Sequence, residues 1–293
     1  MIAVLGTVFM DIKGYPEGDY SPTGRNAGQI KFVHGGVGRN IAEDMVHSGV
    51  QPLFISLVDD NSNGDAIINH LQREGVSTEF VLKTPNGMGT WMAIFNSDGD
   101  LAGSISKRMD MSPLEGLLDA RGDEIFSACD SIALELDMDL DVAQKVFALA
   151  KKHNKDVYVV ISNMACALEM NEYFKDIKCF VCNLEESGIL FGKEITQAET
   201  LLALLLAEDM HSMVVTMGGD GAIYADADQG ICGHVPAEKV NVVDTTGAGD
   251  AFFAGVCSGL TYGKSMEDAC KLGTKLAAAA ISTSGNVCPK LDV

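Results

Sequence analysis

Basic residues are scarce in this chain. Its 293 residues include 21 Lys and Arg against 41 Asp and Glu, a formal net charge of -20. That balance argues against a nucleic-acid partner, whose phosphate backbone requires a basic footprint. It argues equally against a basic surface for anionic lipid. Aromatics are sparse, with one Trp and 6% aromatic residues overall, which disfavours a stacking platform for single strands. Long apolar runs are missing, since no stretch approaches the ~18–20 residues of a membrane span. Met1–Leu5 is a short apolar run with no basic region before it and no cleavage pattern after it. The eight cysteines are scattered. The expectation is a reducing, cytoplasmic compartment in which thiols act as small buried hydrophobes. What the chain does have is 47% hydrophobic residues, enough for a substantial core and too many for a disordered acidic tail. The length allows one large α/β domain or two small ones.

Short apolar or β-branched runs alternate with amphipathic segments of helical length. Ile2–Gly6, Leu53–Val58, Ser131–Glu135, Val157–Ser162, Cys179–Asn183 and Met213–Met217 read as strands. Asn40–Ser48, Gly64–Glu74, Leu140–His153, Thr196–Glu208, Asp250–Tyr262 and Met266–Thr283 read as helices. The alternation predicts βαβ units around a mostly parallel sheet with helices on both faces. Two segments break the rhythm. Residues 12–34 carry strand fragments with Gly and Pro. Residues 88–107 read as a hairpin, with strands at Thr90–Asn96 and Leu101–Lys107 and a turn at Ser97-Asp98-Gly99-Asp100. Together they predict one small antiparallel sheet inserted into the α/β core, able to cover a site or pair with another subunit.

The most informative segment is Asp244-Thr-Thr-Gly-Ala-Gly-Asp250, followed by a helix read as starting at Asp250, with Phe252, Phe253 and Val256 on its buried side. Gly247 and Gly249 permit a tight bend. With Ala248 they leave the N–H groups of 247–250 uncovered. A helix N-terminus adds about half a positive charge there. This is an anion hole, and phosphate is its natural occupant. Asp250 has two readings. As an N-cap it would be ordinary. As a general base it would take the proton of a substrate hydroxyl while the amides stabilise a transferring phosphoryl group.

The heptapeptide and its small, apolar helix resemble the C-terminal signature of the ribokinase-like (PfkB) carbohydrate kinases, and all seven residues fit. A second segment, His34-Gly-Gly-Val-Gly-Arg-Asn40, opens a helix near the N-terminus, where this family has its first signature. It does not fit the dinucleotide fingerprint, because Ile41 stands where the third Gly belongs. By resemblance, Gly35, Gly36 and Asn40 hold sugar hydroxyls, and Asp11 is the substrate-binding Asp. On their own these residues are a helix start and a turn. Asn183-Leu-Glu-Glu186 matches the family's Asn-x-x-Glu motif, which implies ATP with Mg2+ placed through Glu186 and water; otherwise it is an exposed acidic helix start. Thr216-Met-Gly-Gly-Asp-Gly221 matches the loop lying along the nucleotide, which assigns Thr216, Gly218, Gly219 and Gly221, together with Thr246, to ATP; otherwise it is a hairpin turn.

The resemblance covers essentially the whole chain. It implies a single ribokinase-like α/β/α domain over 1–293, with a β-lid from about 12–34 and 88–107 that mediates a homodimer. In some members it implies K+ near the Asp244 loop and Ser282–Asn286. Within the family, Asn26–Ala42, with its Gly-Val-Gly-Arg-Asn-Ile-Ala core, resembles bacterial pseudouridine kinases, so the expected acceptor is the 5′-hydroxyl of pseudouridine. Another nucleoside or a free sugar is the alternative. The chain departs from that pattern at Ser162-Asn163, where those enzymes have Asp-Pro, and at Leu168, near the position of a Lys. A regulator that kept the fold and lost catalysis is the reading from another class, and no DNA-binding segment supports it.

Other motifs fail. Gly259–Ser265 is one residue short of a P-loop and follows a helix. Asp137-x-Asp-x-Asp141 has Val142 and Ala148 where a calcium loop needs Gly and Glu. Cys179 and Cys182, three apart in a strand, face opposite sides.

Overall fold

The computed structural model describes residues 1–98 and 100–291. In chain order the strands are β1 (Ile2–Leu5), β2 (Phe9–Pro16), β3 (Gly28–Gly35), β4 (Pro52–Asp59), β5 (Ser77–Thr84), β6 (Gly89–Phe95), β7 (Leu101–Lys107), β8 (Ser131–Leu136), β9 (Asp156–Ile161), β10 (Cys179–Asn183), β11 (Ser212–Thr216), β12 (Ala222–Asp226) and β13 (Ile231–Val235). The helices are α1 (Val37–His47), α2 (Ser62–Glu74), α3 (Pro113–Ala128), α4 (Leu140–His153), α5 (Met164–Glu169), α6 (Leu184–Phe191), α7 (Ala198–Ala207), α8 (Ala248–Thr261) and α9 (Met266–Ile281).

Nine strands form the central sheet in the order β13-β12-β11-β10-β9-β8-β1-β4-β5. From β11 through β5 every pairing is parallel, while β12 and β13 join antiparallel at one edge. The apolar runs explain the burial of the parallel strands on both faces. Along β1, Ala3 and Leu5 enter one core, and Ile2 and Val4 enter the other. The first core is closed by α3, α4 and α7, through residues such as Leu118, Val146 and Leu201. The second is closed by α1, α2, α8 and α9, through Ile41, Leu71, Phe253 and Leu276. Cys179 and Cys182 fall in opposite cores, as their spacing requires, and all eight cysteines are free thiols.

The remaining four strands form a separate sheet in the order β3-β2-β6-β7. Both outer pairs are antiparallel, and β2 and β6 are parallel where the two hairpins join. Gly99, in the expected turn, lies outside the described residues, as do residues 292–293 of the expected single domain. Four segments link the sheets, at residues 6–8, 36, 85–88 and 108–112. Asp59, at the end of β4, accepts the Met88 N–H at 3.0 Å. Asp137, just past β8, pairs with Arg108 at 2.9 Å.

Two helix starts differ from the sequence reading. α1 begins at Val37 rather than Asn40, and α8 at Ala248 rather than Asp250. In both, a glycine with positive φ is the cap, Gly36 at 99° and Gly247 at 81°. These caps carry no side-chain signal. Helices α3 and α5 and strands β5, β12 and β13 had no counterpart in the sequence reading.

Candidate active site

Ligands of open α/β sheets bind outside the carboxyl ends of the strands. Here that edge gathers the predicted residues into two groups. The first surrounds the N-termini of α1 and α8. The second lies at the ends of β10 and β11, where Asn183 stands opposite Thr216 in register.

In the first group, Gly247 is irreplaceable on geometric grounds, because a Cβ there would lie 1.9 Å from the Asn286 carbonyl oxygen. The tight turn sends the Ala248 N–H back onto Thr245 O at 3.3 Å. The N–H groups of Gly247, Gly249 and Asp250 have no backbone acceptor among the described residues, and nothing crowds Gly249. Of the four N–H groups expected to be uncovered, 247–250, three are therefore free at the mouth of a 14-residue helix and only that of Ala248 is engaged. Thr246 donates both its N–H (2.9 Å) and its hydroxyl (2.7 Å) to Asp244 Oδ1. Burial pushes the Asp244 carboxyl up, but those bonds and the Lys13 charge outweigh it, so its pKa is lowered.

Asp250 is the third residue of α8 and not its cap, so the cap reading is set aside. Its carboxylate instead accepts Asn40 Nδ2 at 2.6 Å. Desolvation raises its pKa to about 6; the Asn40 bond and the Arg39 charge pull downward, and Asp11 pushes further up. Asn40 is fixed in turn by Arg39, whose guanidinium also bonds Glu43 and the His34 and Gly35 carbonyls. Asp11 is buried on β2 against Gly35, where a Cβ would come within 2.5 Å of its Oδ2. A Cβ on Gly36 would lie 2.5 Å from Thr7 O. Burial raises the Asp11 pKa against the lowering charges of Lys13 and Arg39.

Two residues here escaped the sequence reading. Glu135 is buried in β8 and accepts the N–H groups of Thr7 (2.7 Å) and Gly38 (2.8 Å) and the Ser162 hydroxyl (2.8 Å). Burial pushes it up to about 7 despite those bonds. A single acid in the apolar run Ser131–Leu136 was the available signal. Ser162 and Asn163, the departure from Asp-Pro, are both engaged by β8 and its end, since Asn163 Nδ2 donates to Asp137 at 2.9 Å. The other missed residue is Lys13, buried on β2.

In the second group, Asn183 caps α6. Its Oδ1 accepts the Glu186 N–H at 2.8 Å, while Glu186 Oε2 accepts the Asn183 N–H at 2.8 Å. Burial raises the Glu186 pKa, and the Asn183 bond opposes it. The Thr216 hydroxyl donates to Cys182 O at 3.4 Å. Residues 217–221 form the turn of the β11–β12 hairpin, with a Met217 N–H to Gly221 O bond at 2.7 Å. Gly218 and Gly219 present bare backbone to open space, whereas Gly221, with φ 88°, is packed against Val235 O.

No group of three or more His, Cys, Asp or Glu able to hold a metal occurs among the described residues. One carboxylate with one oxygen already engaged suits Mg2+, which keeps several waters and shares phosphate oxygens. Near the Asp244 loop, Ile281 O accepts two N–H groups and Asp244 Oδ1 accepts both Thr246 donors.

The model of the pfkB family carbohydrate kinases matches residues 1–290. A guanosine-inosine kinase of Exiguobacterium acetylicum is 35% identical over 289 residues, covering 97% of this chain and 95% of that protein. A pseudouridine kinase of Escherichia coli is 23% identical over 298 residues, covering 100% and 94%. The structure of Arabidopsis thaliana ribokinase complexed with ribose and ATP superposes with a TM-score of 0.84 at 20% identity, over 99% of this chain and 96% of that one. The nine-stranded sheet, the separate small sheet and both signatures have one source: the chain belongs to the pfkB family of carbohydrate kinases and is an ATP-dependent kinase of the ribokinase-like fold.

Proposed function

We propose that the chain transfers the γ-phosphoryl group of ATP to the 5′-hydroxyl of a nucleoside, with Asp250 as general base. The carrying observation is the Asp250 carboxylate, held by Asn40 beside the unpartnered amides of Gly249 and Asp250. Asp11, the backbone of Gly35 and Gly36, and Asn40 hold the sugar hydroxyls. ATP lies along Thr216, Gly218, Gly219 and Gly221, with Asn183 and Thr246 at its flanks. The 5′-hydroxyl gives its proton to Asp250 as its oxygen bonds to phosphorus, and the bond to the ADP oxygen breaks. Charge on the moving phosphoryl oxygens falls on the amides of Gly249 and Asp250, with Gly247 and Ala248 fixing the turn that aims them. Mg2+, held through water by Glu186 beside Asn183, supplies charge neutralisation when bound. The small sheet acts as a lid, and two lids pair in a homodimer.

The Exiguobacterium relative, named for guanosine and inosine, favours a purine nucleoside. Pseudouridine is the second reading, favoured by Asn26–Ala42; it draws no support from Ser162-Asn163, whose side chains are committed to Glu135 and Asp137. Steady-state rates for guanosine, inosine, pseudouridine, ribose and deoxyribose, followed by ADP release, separate these readings. A purine nucleoside is expected to be fastest. Turnover of a free sugar equal to or faster than every nucleoside overturns the nucleoside reading. Asp250→Asn is expected to lower kcat about 10²–10⁴-fold while nucleoside binding persists. Near wild-type turnover would remove Asp250 as the base.

A further inference from the structure

Lys13 is 5% exposed, yet it is joined to neither acid nearest to it. It lies on β2 two residues beyond Asp11, so both side chains leave the same face of the small sheet. It acts on Asp11 and on Asp244 by charge, with no hydrogen bond to either. Its charge is therefore felt both at the sugar end of the site and at the loop that leads into α8. Among the described residues it forms no ion pair or hydrogen bond at all. Arg39, the other cation here, is fully committed to Glu43, Asn40 and two carbonyls. The same site brings together three carboxylates, Asp11, Asp244 and Asp250, where phosphate must arrive.

We propose that Lys13 is a catalytic residue whose ammonium contacts the phosphoryl group in transit between ATP and the acceptor hydroxyl. This rests on the phosphoryl-transfer reading of the Asp250 site, but not on which acceptor is used. A compact ammonium has three donors and no acceptor, so it suits phosphoryl oxygens better than a sugar hydroxyl that must also donate. As the oxygen–phosphorus bond to the acceptor forms and the bond to ADP breaks, the proton goes to Asp250. Lys13 takes no part in that proton transfer and offsets the charge on the oxygens. Backbone amides alone face that charge at the mouth of α8, and Lys13 adds the full positive charge that they lack.

The test first identifies whichever acceptor the wild-type enzyme turns over best, so a failure of the nucleoside assignment leaves it intact. Lys13→Met and Lys13→Arg are then compared by kcat, by Kd for that acceptor, and by Kd for its phosphorylated product. For Lys13→Met, kcat is expected to fall 10²–10³-fold, the loss typical of removing one charge-stabilising donor. The product Kd should rise at least tenfold while the acceptor Kd stays within threefold. Lys13→Arg should recover most of the product affinity. An unchanged ratio of product Kd to acceptor Kd in Lys13→Met overturns the proposal. So does a Lys13→Met protein that no longer binds the acceptor, because the cation would then be needed before any phosphate arrives. If the wild-type enzyme transfers phosphate to no acceptor, the phosphoryl-transfer reading itself falls, a result distinct from either outcome.

Discussion

At the scale of single residues, the chemistry turns on how a carboxylate is kept basic. Asp250 is pushed up to about 6 because desolvation outweighs the Asn40 bond and the Arg39 charge. A general base works only when ionised, so activity must be lost as pH falls through that value. The profile of kcat/KM against pH should therefore rise with an apparent pKa near 6 and flatten above it. Asn40→Ala removes a hydrogen bond that favours the ionised form, so its acid limb should move to higher pH. A limb that stays in place, or moves down, would mean that a group other than Asp250 sets the profile. A readout of the limb separates this effect from a loss of sugar binding, which changes KM without moving the pKa.

At the scale of elements, glycine caps govern the site. Gly247 holds φ at 81°, with Asn286 O against the space a methyl would fill. Gly247→Ala should destabilise the fold by about 1–3 kcal/mol through backbone strain, and it should reduce turnover by turning the amides of α8 away. Gly249→Ala, two residues on, has open space and an ordinary φ, so its melting temperature should stay near wild type. Equal melting temperatures for the two variants would remove strain at the cap as the reason for Gly247. These caps also mark the limit of what the sequence disclosed. The apolar runs of β1, β4, β8, β9, β10 and β11 were legible because burial on both faces demands them. So was the hairpin of β6 and β7. The starts of α1 and α8 were misplaced because a glycine cap offers no side chain to read. Helix α3 was hidden by Gly116 and Gly122, which break its apolar spacing, and β12 and β13 are short and end among glycines and polar residues. The glycines, Asp11 and Asp250 were visible as motifs. Glu135 and Lys13 were not, since their meaning depends on what stands opposite them in space.

At the scale of the whole molecule, the outward side of the small sheet carries an apolar row. Ile12 stands beside Phe32 on one neighbour and Met92 on the other, and Met92 beside Ile105. Phe32 and Ile105 are 69% and 67% exposed, an unusual cost for a chain that is acidic elsewhere. In the proposed lid-to-lid homodimer this row is buried. Wild-type protein should then sediment at twice the 31.1 kDa chain mass, and the double variant Phe32→Asp, Ile105→Asp as a single chain. A wild-type monomer at micromolar concentration would refute the pairing. The acidic surplus has a mechanical side as well. Thr7, within the first crossing between the sheets, and Gly38, just past the second, are tied to Glu135; the third is tied by Met88 to Asp59, and the fourth by Arg108 to Asp137. All three carboxylates stand at the ends of β4 and β8. The small sheet is thus moored like a boat to two posts, and any sway that brings Asp11 and Lys13 toward a ligand has to be taken up in these four lines.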